Sequence, residues 1–204
     1  MLKRCLTFCI LLALLLCLCD LCAADPVATG TPTIYKVTMR KLEASKDGGN
    51  TWYTLGEGDM TFDIASADAG AVVGAYASNG SVPLGTYTKM RITSSRTFIL
   101  RGSVDYLGTT YYTSSGGTTT VAGQLSEQSI SVPDPPVPVE GTTFTATDII
   151  TVEDRSATPF IVEEGVIKTV TIKFDVTGKL ALYDMGGGSY QFMPQQPTVT
   201  LTCN

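Results

Sequence analysis

Asp59, Asp63, Glu153, Asp154, Glu163 and Glu164 are the side chains best suited to chemistry in this sequence. Two carboxyl groups facing one another across a cleft can work as the acid and base of glycoside hydrolysis. No specific motif surrounds these six. Glu153-Asp154 and Glu163-Glu164 read as solvated loop charges, and Asp63 and Asp175 fall on outward faces of strands. Histidine is absent from all 204 residues. That removes a Ser-His-Asp triad, a Cys-His pair, histidine general acid-base work and histidine-held zinc or copper. Cys203, one residue from the end, has no neighbour that would activate a thiolate. It reads as a small apolar core residue, a free thiol or half of an intermolecular disulfide. No catalytic, cofactor-binding or metal-ligating residue is therefore assigned, no cofactor is expected, and the chain reads as a non-enzyme.

Two further chemistries have candidates. "DGGN" (47–50) and "DPP" (134–136) offer oxygen ligands for calcium, but neither carries the ligand ladder of an EF-hand. "GGG" (186–188) lacks the Lys-Ser/Thr of a phosphate loop and falls between strands. Trp52, Tyr53, Tyr111, Tyr112, Tyr183 and Tyr190 would form a carbohydrate-binding platform if they converged. Aromatics are also ordinary strand formers and core fillers.

The elements that must position these residues are short and extended. "IYKVTMRKLEA" (34–44) alternates Tyr35, Val37 and Met39 with Lys36, Thr38 and Arg40, the period of a half-buried strand. "SKDGGN" (45–50) is turn chemistry, and "TWYTL" (51–55) returns as a hairpin. "GDMTFDIAS" (58–66) places Met60, Phe62 and Ile64 on one face. The stretch 67–80 breaks the alternation and suits one or two helical turns. Residues 86–93 run extended, and 96–117 form a hairpin with Tyr111 and Tyr112 in its return arm. "VPDPPVPVEG" (132–141) precludes a central strand. It reads as a long loop, with a domain linker as the alternative. "VIKTVTIKFDV" (166–176) alternates most regularly. A hairpin turning at 186–188 and a last strand, "TVTLTC" (198–203), close the chain.

The amino terminus sets the compartment. Lys3 and Arg4 precede an uncharged apolar run, and small residues follow at Ala23 and Ala24, the layout of a cleaved secretory signal over 1–24. The run is short for a membrane span. Leu16, Leu18 and Leu21 precede the cysteines where a lipid anchor would need a small residue. Cys5, Cys9, Cys17, Cys19 and Cys22 leave with the signal, so no internal disulfide framework is expected. The remaining chain of about 180 residues suffices for one or two β domains held by burial alone. The formal charge of −5 and the lack of a basic stripe speak against nucleic acid.

The order of elements resembles a family of secreted bacterial proteins with transthyretin-like β-sandwich domains, the uncharacterised family labelled DUF4382. The likeness lies in the first hairpin with its Trp-containing return strand (35–55) and in "VPLGTYTKMRI" (82–92). There Pro83, Gly85, Tyr87 and Arg91 match a bend followed by an Arg-bearing strand. The late strand (167–176), ending in Phe-Asp, is similar too. The resemblance spans about residues 34–185 and departs at 132–141 and in the long segment before the late strand. It implies a bacterial envelope or secreted protein and no catalytic residues. By ordinary packing, the Tyr87 hydroxyl is expected to stay wet and Arg91 to snorkel from its sheet face.

The expected molecule is all-β: an antiparallel sandwich, transthyretin- or immunoglobulin-like, of about nine or ten strands with little helix. Residues 25–33 would be a flexible leader and 34–204 a single domain, with 132–141 the alternative boundary. Its expected role is noncatalytic, structural or binding, in the periplasm, at the cell surface or outside the cell. A protein or glycan partner fits that role, without a membrane span in the mature chain. Two other readings compete. One is a pilus-like subunit self-associating by strand addition from its leader. The other is a carbohydrate-binding module or carboxylate-based glycoside hydrolase.

Overall fold

A computed structural model describes residues 25–66, 82–135, 139–164 and 170–203. The signal segment 1–24, the helical turns expected within 67–80, Pro136, Pro138 and Val166 lie outside the described residues, as do the side chains of Ile172 and Cys203. The fold is all-β, with several antiparallel sheets and almost no helix. Seventeen strands are present among the described residues, more than the nine or ten expected, because many are three- or four-residue pieces of interrupted strands. The one helical element described is a 3₁₀ turn at Ala122–Gln124. No helix among the described residues is long and apolar enough to cross a membrane.

Strand β2 (Ile34–Ser45) is the hub. On one side it pairs with β3 (Tyr53–Asp63). This is a single eleven-residue strand where the sequence suggested two. On the other side it pairs with β5 (Lys89–Ser95) and β6 (Thr97–Arg101), consecutive strands broken only at Arg96. β10 (Gln128–Ser131) then pairs with β6, and β12 (Asp148–Asp154) with β5. β11 (Thr142–Phe144) lies outside β12.

The register of β2 slips between Met39 and Lys41 against both neighbours: against β5 Arg40 is the extra residue, whereas against β3 the extra residue lies in β3, between Glu57 and Met60. A bulge moves every later side chain to the opposite phase. Before it Tyr35, Val37 and Met39 are buried, and after it Leu42 and Ala44 are. Past the bulge alternation gives way to continuous burial, with Glu43 and Ser45 enclosed alongside Leu42 and Ala44.

Four smaller sheets complete the described residues. β1 (Ala28–Gly30), β15 (Leu180–Asp184) and β16 (Tyr190–Pro194) form one. β7 (Ser103–Tyr106), β8 (Thr109–Ser114) and β9 (Gly117–Thr119) form another. β4 (Gly85–Tyr87) pairs with β13 (Phe160–Val162). β14 (Val170–Asp175) pairs with β17 (Thr198–Cys203).

Residues 25–33 are not a free leader: β1 is antiparallel to β15, and Val27 N–H donates to Leu182 O at 2.8 Å. The main core joins these layers. Tyr35, Phe98, Leu100 and Ile130 of the large sheet pack with Val104, Leu180, Leu182 and Phe192, while Phe174 and Val176 press in from the edge. A second cluster holds Ala44, Tyr87 and Phe160.

The proline-rich stretch is tied down at its start. Arg96, in the break between β5 and β6, donates from Nε and Nη2 to Val132 O at 2.9 and 2.6 Å. Its Nη1 reaches Asp134 at 2.9 Å and Thr145 O at 2.6 Å.

Candidate functional site

The residues with chemical potential fall into two neighbourhoods, and only one of them is open. In the closed one, Glu43 of β2 stands directly opposite Arg91 of β5. The Glu43 side chain is 7 % exposed. Arg91 Nε donates to Glu43 Oε2 at 2.7 Å, and Lys41 Nζ lies 3.3 Å from Oε1. Burial works against the charged carboxyl, but hydrogen bonds and charge from Arg91, then Lys41, outweigh it and hold Glu43 below its ordinary value. The Arg91 guanidinium sits 4.3 Å from the Trp52 ring centroid. Arg91 is thus clamped rather than snorkelling, and Trp52 is capped by a cation. The Tyr87 ring is fully buried, and its hydroxyl donates to Pro83 O at 2.6 Å instead of staying wet.

The six candidate carboxylates are distributed through the scaffold. Asp59, exposed on β3, faces Arg40 Nε at 3.7 Å. Asp63 Oδ1 accepts the backbone N–H groups of Tyr35 at 3.0 Å and Ala65 at 3.2 Å, so this group stitches β3 to β2. Glu153 pairs with Arg155 at 2.9 Å, and Asp154 accepts Ser156 N–H at 2.8 Å. Glu163 and Glu164 follow β13, which belongs to a separate sheet. Asp175 accepts Thr177 N–H at 2.9 Å.

In the 45–51 turn, Asp47 Oδ1 accepts from Ser45 Oγ and Thr51 N–H, both at 2.8 Å, which holds Asp47 well below the usual carboxylate range. Its carboxylate closes the turn. Among the described residues no group of three His, Cys, Asp or Glu could hold a metal ion.

The open neighbourhood is aromatic. Of the six rings singled out in the sequence, Tyr111 of β8 and Tyr190 of β16 come together, with centroids 4.6 Å apart. Tyr106 joins them, 5.9 Å from Tyr190. Trp52 and Tyr53 lie elsewhere, Tyr53 edge-on to Tyr87 at 5.8 Å. The Tyr183 hydroxyl accepts from Gln195 Nε2 at 2.9 Å.

Tyr106 escaped sequence reasoning, although its signal was present. Leu107 and Gly108 both have positive φ (49° and 78°), as a two-residue hairpin turn requires. That turn pairs Val104 with Tyr111, so Tyr106 shares their face.

Tyr111, Tyr190, threonines 118–120 and the 187–189 turn enclose an open hollow of about 530 Å³. All three tyrosines are half-buried and packed against the main core, which fixes their rings. Gly187 and Gly188 have φ of 63° and 80° and would meet nothing with an added Cβ. Their glycine identity therefore answers to backbone conformation, and it leaves that wall bare main chain. Thr118 Oγ1 is shielded from solvent and has no hydrogen-bond partner. Burial, then the hydrogen bond and charge of Tyr111, pushes the Tyr190 phenol up. The hollow therefore presents neutral hydroxyls and amides around two fixed rings, a surface suited to binding rather than proton transfer.

The chain matches no family model, no curated protein and no solved structure.

Proposed function

We propose that this chain is a noncatalytic, exported β-sandwich protein of the cell envelope or extracellular space, with a binding or structural role. The observation that carries this reading is the employment of its carboxylates. Glu43, Asp47, Asp63, Glu153, Asp154 and Asp175 each accept hydrogen bonds or ion pairs that hold strands and turns together. A glycosidase needs one carboxyl raised to act as an acid. Glu43, Asp47, Asp154 and Asp175 are held in the opposite direction.

Two features favour the sandwich of the transthyretin- or immunoglobulin-like kind. One core is shared by the large sheet and the β15–β16 layer. The Tyr87 hydroxyl bonds back to the carbonyl four residues upstream, as in the tyrosine corner of such folds. The resemblance to secreted bacterial transthyretin-like domains points the same way. The pairing of β1 with β15 favours a leader kept within its own chain over one donated to a neighbour.

Export is tested by fractionating the native host and sequencing the amino terminus of the protein. The expected mature chain begins at Ala24 or Asp25 and lies outside the cytoplasm. An intact Met1 terminus on cytoplasmic protein would defeat the reading.

A further inference from the structure

We infer that the hollow between Tyr111, Tyr190 and threonines 118–120 binds a neutral glycan, one pyranose ring stacking on Tyr190 while its hydroxyls meet the 187–189 main chain. The inference rests on the noncatalytic binding reading above and names the ligand class of that site.

Two observations converge on this chemistry. A sugar ring offers an apolar face of C–H groups and a rim of hydroxyls, so its complement is an aromatic face beside neutral donors and acceptors. Here Tyr111 and Tyr190 lie 4.6 Å apart at an angle of 50°. Both are anchored against the core, so little side-chain freedom is lost when a ligand is held.

The lining carries no Lys, Arg, Asp or Glu. Beside it, Asp184 spends its carboxylate on Gly186 N–H at 2.8 Å and adds negative charge near Tyr190. That arrangement disfavours an anionic ligand and leaves a cation no direct partner. A purely apolar ligand would leave the lining hydroxyls and amides without partners.

The other aromatic candidates are not equivalent: Trp52 lies under Arg91, and Tyr53 belongs to the second core cluster.

The test uses the mature chain and four neutral probes: cellohexaose, xylohexaose, maltohexaose and chitohexaose. Binding is read by saturation-transfer NMR and titration calorimetry, with pull-down on insoluble cellulose, xylan and chitin to separate free oligosaccharides from polymer surfaces. At least one probe is expected to bind, with saturation transfer from tyrosine ring protons. Tyr190→Ala should weaken it about tenfold or more. Trp52→Ala should leave affinity within about twofold. Tyr190→Phe keeps the ring and its packing, so it guards against a folding artefact. It should hold affinity within about fivefold while its circular dichroism matches the parent.

Failure of the folded parent to bind any probe would overturn the glycan inference and leave the noncatalytic reading intact. So would binding that Trp52→Ala abolishes and Tyr190→Ala does not. Shortened products in the mass spectrum of a bound probe would instead overturn the noncatalytic reading itself.

Discussion

A carboxylate withdrawn from water must be paired or must take up a proton. Glu43 is paired with Arg91 across two strands, and Arg91 is held in turn by Trp52. Removing the cation while leaving the carboxylate is the damaging change. Arg91→Ala should lower stability by about 2–3 kcal/mol in urea unfolding, because Arg91 itself is only partly buried. A loss below about 0.5 kcal/mol would mean that the pair is a surface contact of little consequence. The pair was not legible in the sequence. Lys41, Glu43 and Arg91 were visible as strand residues, but which cation faces which acid depends on register. The Arg40 bulge shifts that register by one, and alternation within a single strand does not reveal it. Tyr87 was misread for a related reason: the Pro83 carbonyl that accepts its hydroxyl is brought close by a bend, not by a repeat.

Elements with clean alternation were the readable ones. β2 runs over Ile34–Ser45, close to the expected 34–44, β7–β8 lies within the hairpin expected over 96–117, and β15–β16 turns at the glycines that indicated it. β10 and β12 were missed. In β10 the buried phase contains Gln128, a polar residue in an apolar position, and in β12 most residues are half-buried, so no contrast between faces develops. β1 was mistaken for a leader because three small residues carry almost no periodic signal. Its docking relies on close approach rather than side chains. A Cβ on Gly30 would lie 2.5 Å from Ser103 O and 3.0 Å from Val104 Cγ2. Gly30→Ala should therefore cost about 1–3 kcal/mol and speed amide exchange at Val27, whose N–H is bonded to Leu182 O. Parent-like exchange there would show that β1 docks less closely than described.

Across the whole molecule, the carboxylates with a resolved direction act together on stability. Glu43, Asp47, Asp154 and Asp175 are lower in the folded chain, so the unfolded chain binds more protons as pH falls. Their contribution is complete above the ordinary carboxylate value of about 4 and is lost as pH drops below it. The urea midpoint should hold from about pH 7 to pH 5 and then fall, with a shallower fall in Asp47→Asn. A midpoint that rises on acidification would reverse the assignment. The strand pattern was open to sequence reading because it depends on local alternation. The tyrosine hollow was half open to it: Tyr111 and Tyr190 could be nominated, but their meeting depends on two hairpins distant in sequence.

The proposed noncatalytic role depends on acids that hold the sheets rather than turn over a substrate. Site-by-site titration of the Asp and Glu carboxyl carbons by NMR addresses that claim most directly. Glu43, Asp47, Asp154 and Asp175 should titrate below their ordinary values. One carboxyl titrating about two units high beside a second that remains ionised would be the signature of a catalytic pair, and would contradict it.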